Sequence, residues 1–143
     1  LYLFAKNISQ NKKINVFNNG NHTRDFTYVD DIADAVVKIF KVGFKKEKNW
    51  NNKNPDIGSS GAPFTVLNIG SGKKIKLMKY IKLIEKEIGK KSNKKYLSLQ
   101  KGDIQKTQAN INKLKNLYKF NCSTPVEIGI KRYIKWFKQY YKY

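Results

Sequence analysis

Residues Arg24–Asp31 run from a β-prone stretch into the start of an amphipathic helix with no linker between them. The helix is predicted because apolar residues recur with a period of about 3.6, at Ile32, Ala35, Val36, Ile39 and Phe40. Asp30 or Asp31 is predicted to cap its start, and Gly43 to end it. A strand that passes directly into a helix favours an α/β fold.

The other apolar segments are short. Some have the period of about 3.6 residues that indicates a helix, and others have the alternation that indicates a strand. Strands are predicted over residues 14–17, 24–28, 65–70 and 96–99. Further helices are predicted over residues 1–10, 76–88 and 112–117, with a last one near the C-terminus. Together with the helix after Asp31, this gives an α/β chain of short strands and about five helices.

Three local signals refine this arrangement. The turn at residues 18–21 predicts that strands 14–17 and 24–28 pair as a hairpin. Thr124–Glu127 predicts a capping box for the last helix, with proline in the first helical position. Residues 44–63 are polar and long for a connection, which predicts a surface loop that is an insertion or a mobile flap.

The formal net charge of +20 favours a nucleic-acid-binding protein. However, the lysines are spread along the whole sequence and alternate with asparagine, isoleucine and tyrosine, which is typical of a solvated surface. Hydrophobic residues at 40% and aromatic residues at 13% predict one folded domain. A basic nucleic-acid-binding domain is therefore the alternative to the functions considered below.

Several kinds of site are excluded or disfavoured by the residue types present. Cys122 is the only cysteine and His22 the only histidine, so the chain cannot form an internal disulfide, a thiolate zinc cluster or a histidine metal centre. A single histidine in a turn gives no credible Ser-His-Asp arrangement. Gly70-Ser71-Gly72 has too few glycines for a dinucleotide-binding loop and is interpreted as a plain turn. We expect no metal site and no catalytic residue.

The hydropathy of the sequence bears on where in the cell the protein is located. No apolar run approaches the length of a transmembrane helix, and the first residues lack a signal-peptide pattern, so we expect a cytoplasmic protein. The sequence opens at Leu1 inside a helical pattern. This pattern predicts that the chain is the downstream piece of a longer polypeptide.

Arg24 is the strongest candidate for ligand binding. It is one of two arginines in a chain that otherwise uses lysine, and its planar fork suits bidentate capture of phosphate. If the predicted hairpin forms, Arg24 shares a surface with Asn15 and Phe17, which would suit a nucleotide diphosphate. Equally, Arg24 could be a surface arginine that pairs with Asp25 or Asp103.

Arg24–Asp31 resembles the Arg-Asp-Phe-x-[His/Tyr]-Val-Asp-Asp signature of the extended short-chain dehydrogenase/reductases, the NAD-dependent nucleotide-sugar epimerases and dehydratases. Other segments resemble the same family in the same order: Leu3-Phe4 with Lys6, Val66–Gly70, Leu77–Ile81, Leu99–Ile104 with Thr107 and Ala109, and Trp136–Tyr141. The long 44–63 loop and the ending are most similar to the UDP-glucuronate 4-epimerase subgroup. Two departures are Lys101, where proline is usual, and Asn110, where aspartate is usual.

The resemblance implies a C-terminal, substrate-binding portion of a Rossmann-type epimerase and a role in nucleotide-sugar and polysaccharide metabolism. It implies that Arg24 holds the pyrophosphate of a UDP-sugar. Asn15 and Phe17 would border the uracil, and Gln100 and Asp103 would lie near the diphosphate and ribose. The particular UDP-sugar and the oligomeric state are left open.

The same resemblance implies that the NAD-binding half of the enzyme lies outside this sequence. That half carries the glycine-rich NAD loop and a catalytic Tyr-x-x-x-Lys pair, which we expect to be absent here. The chain is therefore expected to bind no NAD by itself and to be inactive alone, with the missing half as its partner. A non-functional remnant is the third possibility.

Overall fold

The computed structural model describes residues 1–44, 46 and 49–143. Within them it contains five α-helices and four short strands: α1 (Tyr2–Ser9), β1 (Lys13–Val16), β2 (Thr23–Arg24), α2 (Val29–Val42), β3 (Ile75–Lys76), α3 (Leu77–Ile88), β4 (Asn93–Tyr96), α4 (Asn112–Tyr118) and α5 (Val126–Tyr141). The predicted α/β class with about five helices is confirmed. None of the described helices is long and apolar enough to cross a bilayer.

The chain divides into two compact units. Unit 1 comprises residues 1–26, 73–108 and 124–143, and unit 2 comprises residues 27–72 and 109–123. The arginine-containing half of the Arg24–Asp31 stretch therefore belongs to unit 1, and the helix that follows belongs to unit 2. A single stretch of sequence thus contributes to both units.

The core of unit 1 forms between α1, α3, α5 and β1. Its fully buried side chains come from the predicted apolar faces of these elements: Ala5, Ile8, Ile14, Val16, Tyr80, Ile81, Ile84, Ile130, Ile134 and Phe137. On α3 and α5 these residues follow the 3.6-residue period, which places them on one face of each helix. Burying each large aliphatic or aromatic side chain contributes roughly 1.5–3 kcal/mol, so these contacts dominate the stability of unit 1.

The predicted hairpin of strands 14–17 and 24–28 is wrong, because the strands of unit 1 have other partners. β1 pairs in parallel with β4, and β2 pairs antiparallel with β3. The reason lies in the turn after β1, where Asn18 and Asn19 both have positive φ. The Asn19 amide donates to the carbonyl of Leu97 at 3.1 Å, so the chain is fastened beside the extension of β4 and does not fold back onto β1.

Two strand boundaries also differ from expectation. The strand predicted over 24–28 ends at Arg24, because Phe26 leaves the ladder and stacks on Tyr80 with ring centroids 3.8 Å apart. The strand predicted over 96–99 lies instead at Asn93–Tyr96. This strand is mostly polar, so its sequence carries no apolar alternation that could reveal it.

Unit 2 is built around α2 and α4. Its buried apolar side chains are Ala35, Ile111, Leu114, Tyr118 and Cys122. The strand predicted over 65–70 is wrong: in the described residues this segment forms only an isolated bridge between Ser59 and Thr65. Val66 is 57% exposed, so this apolar run is not the buried strand that its composition suggests.

The starts of two helices correct the predicted caps. α2 begins at Val29 with Tyr28 in the N-cap position, so Asp30 and Asp31 lie in the first turn, where they face the positive end of the helix dipole. Pro125, not Thr124, occupies the N-cap position of α5. The Glu127 carboxylate accepts from Lys79 Nζ at 2.6 Å and is engaged in this ion pair instead of a capping box.

The predicted 44–63 loop contains no helix or strand in its described residues apart from the bridge at Ser59. Asp56 organises part of it, because its carboxylate accepts from the Ser59 hydroxyl at 2.8 Å and pairs with Lys113. These hydrogen bonds lower the pKa of Asp56 to about 2. Lys45, Glu47 and Lys48 of the predicted loop lie outside the described residues, and its mobility stays a prediction.

Glu85 on α3 should make the stability of unit 1 depend on pH. Its carboxylate is 14% exposed and accepts from Lys94 and from the Ser92 amide, the latter at 2.9 Å. Burial raises the pKa of Glu85, but the hydrogen bonds from Lys94 and Ser92 outweigh it and hold the pKa below the ordinary value. A lowered folded-state pKa stabilises the fold above the unfolded-state pKa and is lost as pH falls through the folded value.

We therefore expect Glu85→Gln to lower the free energy of unfolding by about 2 kcal/mol near neutral pH. The difference from wild type should be smaller at about pH 3, which lies below the ordinary glutamate pKa. Urea unfolding at both pH values measures this. The control is Glu87→Gln on the same helix, expected to change stability by less than about 0.5 kcal/mol. Equal losses for both variants would contradict the assignment.

Candidate functional site

The candidate site of unit 1 forms around β2, which has neighbours on both sides. β3 pairs with it on one side, with Thr23 opposite Lys76. On the other side the Thr23 amide donates to the carbonyl of Gln105 at 3.0 Å, and the Thr107 amide donates to the carbonyl of Thr23 at 3.2 Å. These backbone hydrogen bonds bring residues 103–107 next to Arg24, although about 80 residues of sequence separate them.

Arg24 is held in place by three hydrogen bonds. Its Nη1 donates to the carbonyls of Thr23 at 3.1 Å and Gln105 at 3.2 Å, and its Nη2 donates to Asp103 Oδ1 at 3.0 Å. The side chain is 30% exposed. The guanidinium is thus fixed in orientation while part of it is accessible to solvent, which is the arrangement that suits binding of an anion.

Gln100 and Asp103 occupy the two ends of one tight turn. The Asp103 amide donates to the carbonyl of Gln100 at 3.2 Å, and Gly102 between them has φ of +81°. The structure therefore brings Asp103 into contact with Arg24, and Gln100 shares the turn of Asp103. It also contains the Arg24–Asp103 ion pair that the surface-arginine alternative expected.

His22 belongs to the same cluster, which the sequence did not predict. It is 4% exposed, and its Nε2 lies 3.1 Å from Asp103 Oδ2. The direction of this contact is not that of a hydrogen bond, and Nε2 has no hydrogen-bond partner within the described residues. The only sequence signal was a lone histidine two positions before Arg24, and nothing in the local pattern indicates its burial.

The other two predicted residues, Asn15 and Phe17, line a separate cavity of about 420 Å³ beside α1. Phe4, Asn7 and Lys13 are also part of its wall. An aromatic ring and side-chain amides in one cavity can take a planar ring with polar edges. Among the described residues that line it, Arg24, Gln100 and Asp103 do not occur.

The bare Tyr-x-x-x-Lys spacing does occur in the sequence, at Tyr2 and Lys6. Both residues lie on α1, where Lys6 Nζ is 5.7 Å from the centroid of the Tyr2 ring. The ring also packs edge-on against Phe137 at 6.2 Å. Because the amine faces the ring and the ring is part of an aromatic cluster, the geometry is that of a cation–π contact, which does not activate a hydroxyl.

Gly70-Ser71-Gly72 does not fit a nicotinamide cofactor. Gly72 has φ of +69°, as a tight turn requires, but no strand precedes the segment in the described residues. The Ser71 amide, which would have to face a phosphate, donates to Thr27 Oγ1 at 3.2 Å. A dinucleotide loop needs a strand, a glycine turn and a helix in direct succession, so its interpretation as a turn agrees with the structure.

Comparison with solved structures gives the class of fold. The chain superimposes on UDP-glucuronic acid 4-epimerase from Bacillus cereus, solved in complex with UDP-glucuronic acid and NAD, with a TM-score of 0.74 and 26% identity. The match covers 96% of this chain and 39% of that one. The predicted similarity to a portion of a Rossmann-type epimerase is confirmed.

Sequence comparison gives a family model and several relatives that resemble this chain. Residues 1–51 match the model of the NAD dependent epimerase/dehydratase family. The chain is 39% identical to protein CapI of Staphylococcus aureus over 142 residues, and 33% identical to a probable UDP-glucuronate 4-epimerase of Rhizobium meliloti over 143 residues. Each match covers 99% of this chain and 42% of the relative. The chain is thus similar over nearly its whole length to less than half of these relatives, and over residues 1–51 to the NAD dependent epimerase/dehydratase family; the predicted resemblance is confirmed.

Gly102→Ala tests whether the turn places Asp103 against Arg24. Alanine at this positive φ costs about 1–2 kcal/mol, and the strain should displace the turn. Gly89→Ala is the matched control, because Gly89 has φ of +84° and, like Gly102, open space where a Cβ would stand. We expect similar losses in thermal stability, with the NMR resonance of Arg24 Nε shifted only in Gly102→Ala. An unchanged Arg24 resonance in both variants would contradict this role of the turn.

Proposed function

We propose that this chain supplies the UDP-binding side of an NAD-dependent UDP-sugar epimerase that converts UDP-glucuronate to UDP-galacturonate. The observation that carries the proposal is the state of Arg24, whose guanidinium is oriented by Asp103 and two backbone carbonyls yet is 30% exposed. The names of the relatives, which include a probable UDP-glucuronate 4-epimerase, support the choice of substrate.

Arg24 has the donors that a diphosphate needs. A guanidinium carries five N–H groups, and the three hydrogen bonds to protein leave two of them. Two N–H groups can bind two phosphate oxygens of one ligand, and the rigid fork loses little side-chain entropy because it is already held. In this proposal, Gln100 and Asp103 offer an amide and a carboxylate oxygen to the ribose hydroxyls.

The cavity beside α1 would take the uracil. Phe17 offers an aromatic face, and Asn15 is the exposed residue of β1 between the buried Ile14 and Val16. A side-chain amide can donate to and accept from the polar edge of uracil. Its volume of about 420 Å³ is sufficient for a pyrimidine ring.

We place NAD on polypeptide outside these residues, because Gly70-Ser71-Gly72, the candidate glycine turn among the described residues, does not fit it. When bound, NAD would supply the hydride acceptor and donor for the sugar in an enzyme of the kind that this chain resembles. Unit 2 has an apolar surface that supports the binding of NAD by a second polypeptide. It is formed by α2 and its C-terminal extension, which expose Val29, Val36, Val37, Phe40 and Phe44. Such an apolar face is unusual on an isolated chain and marks a surface that another polypeptide covers.

Replacing Arg24 by lysine keeps the charge and removes the planar fork. We expect Arg24→Lys to weaken binding of UDP about 10- to 100-fold, since charge-assisted hydrogen bonds contribute roughly 1.5–3 kcal/mol. Calorimetric titration measures the affinity. Arg132→Lys is the matched control, because Arg132 is the other arginine of the chain and lies on the exposed side of α5. It should bind UDP as wild type does.

The two alternatives predict different results in the same titration. A nucleic-acid-binding domain would bind a single-stranded oligonucleotide with an affinity that falls steeply with salt and is unaffected by Arg24→Lys. A non-functional remnant, folded or not, would bind neither ligand. UDP binding that Arg24→Lys leaves unchanged would contradict the proposed role of Arg24.

Epimerisation should need both parts of the enzyme. We expect no interconversion of UDP-glucuronate and UDP-galacturonate when the 143-residue chain is incubated with NAD alone. Activity should appear on co-expression with the part of S. aureus protein CapI that this chain does not match. Chromatographic separation of the two UDP-sugars measures the product. Epimer formed by the chain alone would contradict the proposal.

The exposed face of α2 gives this experiment a control. Val36→Ser with Phe40→Ser should abolish the activity of the co-expressed pair while leaving UDP affinity of the chain unchanged, because neither residue is part of unit 1. Both side chains are more than half exposed, so their replacement should cost little stability. Full activity of this double variant would show that the α2 face is not covered in the active enzyme.

A further inference from the structure

We propose that the exposed side of α5 binds the surface of a membrane that carries anionic lipid headgroups. Its aromatic rings would lie among the headgroups, and its lysines would contact the lipid phosphates. The association is peripheral, because α5 has 16 residues and is not apolar enough to cross a bilayer. The proposal goes beyond the proposed function and does not depend on it, since the Arg24 cluster lies on other elements.

The aromatic side chains that α5 exposes are the first observation. Trp136 is 47% exposed and Tyr140 is 66% exposed, although both are large rings. They are four residues apart, which places them on the same side of the helix. Ile128, two turns before Trp136, is 42% exposed as well. Tryptophan and tyrosine combine an apolar ring with a polar group, and both are enriched where a membrane meets water.

The exposed lysines of α5 are the second observation. Lys131 and Lys135 are one turn apart on the exposed side of the helix, and Lys142 directly follows its last residue. None of the three forms an ion pair among the described residues. The one acidic residue of the helix, Glu127, is engaged by Lys79. The exposed side of α5 therefore carries positive charge that complements an anionic partner.

Two other occupants fit this surface less well. In a symmetric dimer, a second copy of the chain would bring the same lysines against one another. A single-stranded nucleic acid would need open ring faces on which its bases could stack. Trp136 and Tyr140 instead stack on each other, with ring centroids 5.2 Å apart and an angle of 25° between the planes. Adjoining rings beside lysines are the pattern of a helix that lies in the membrane interface.

The first experiment measures vesicle binding through the fluorescence of Trp136. The variant Trp50→Phe leaves Trp136 as the only tryptophan of the chain. Its emission should shift to shorter wavelength with phosphatidylcholine vesicles that contain about one third phosphatidylglycerol, and stay unchanged with phosphatidylcholine alone. No shift with the anionic vesicles would overturn the proposal, and so would an equal shift with both kinds of vesicle.

The second experiment measures the affinity for the same vesicles by co-sedimentation, which needs no tryptophan variant. Replacing the three lysines by glutamine, in Lys131→Gln with Lys135→Gln and Lys142→Gln, should weaken binding about 100-fold. Each lysine near an anionic membrane strengthens binding about fivefold, and the three effects multiply. Trp136→Ser with Tyr140→Ser should weaken binding about tenfold, since both rings lose their contact with the headgroups.

A control variant separates the surface of α5 from the net charge of the chain. It removes three exposed lysines of unit 2 and has the same net charge as the α5 variant: Lys38→Gln, Lys41→Gln and Lys115→Gln. It should bind within about threefold of wild type, because charges more than a Debye length from the membrane are screened. Equal losses in the two lysine variants would overturn the proposal. Wild type that binds a single-stranded oligonucleotide and no anionic vesicle would also overturn it, in favour of a nucleic acid.

The surface of α5 must also stay open when the rest of an enzyme is present. Vesicle binding is therefore measured again after co-expression with the part of S. aureus protein CapI that this chain does not match. We expect the affinity for anionic vesicles to be retained. Loss of vesicle binding, with Trp136 emission already shifted before vesicles are added, would show that a second polypeptide covers α5 and would overturn the proposal.

Discussion

The packing of α3 against the rest of unit 1 is the interaction on which the candidate site depends. Ile81 and Ile84 have no exposed surface, and Tyr80 in the same helix stacks on Phe26 just after β2. The first residue of α3, Leu77, donates its amide to the carbonyl of His22. The helix thus anchors β2 at both ends, and loss of its apolar contacts would release the segment that carries Arg24.

The site shows how one arginine of a very basic chain can bind an anion in a defined geometry. Most of the chain's positive charges are exposed lysines, which salt screens and which attract anions without a fixed geometry. Arg24 differs because a carboxylate and two carbonyls hold its fork before any ligand arrives. Preorganisation of this kind lowers the entropic cost of binding, and the price is an arginine whose charge is partly neutralised by Asp103.

Much of the fold and part of the site follow from the sequence. The helices were predictable because their signal is local: apolar residues at a 3.6-residue period, and Gly43 and Gly89 at helix ends. The resemblance to an epimerase family directed attention to Arg24 and Asp103. In the structure, Arg24 Nη2 lies 3.0 Å from Asp103 Oδ1. Their roles in binding UDP stay predictions, as do those of Asn15, Phe17 and Gln100.

The sequence by itself determined which segments are helical and which residues are worth testing, because both depend on neighbours in the chain. Only the tertiary structure decided the strand partners, since β1 pairs with a polar strand about 80 residues away that has no apolar pattern. It also decided the burial of His22 and the exposure of Phe40. Burial depends on what packs against a side chain. His22 is buried by segments that are distant in sequence, and Phe40 is exposed because no described segment packs against its face of α2.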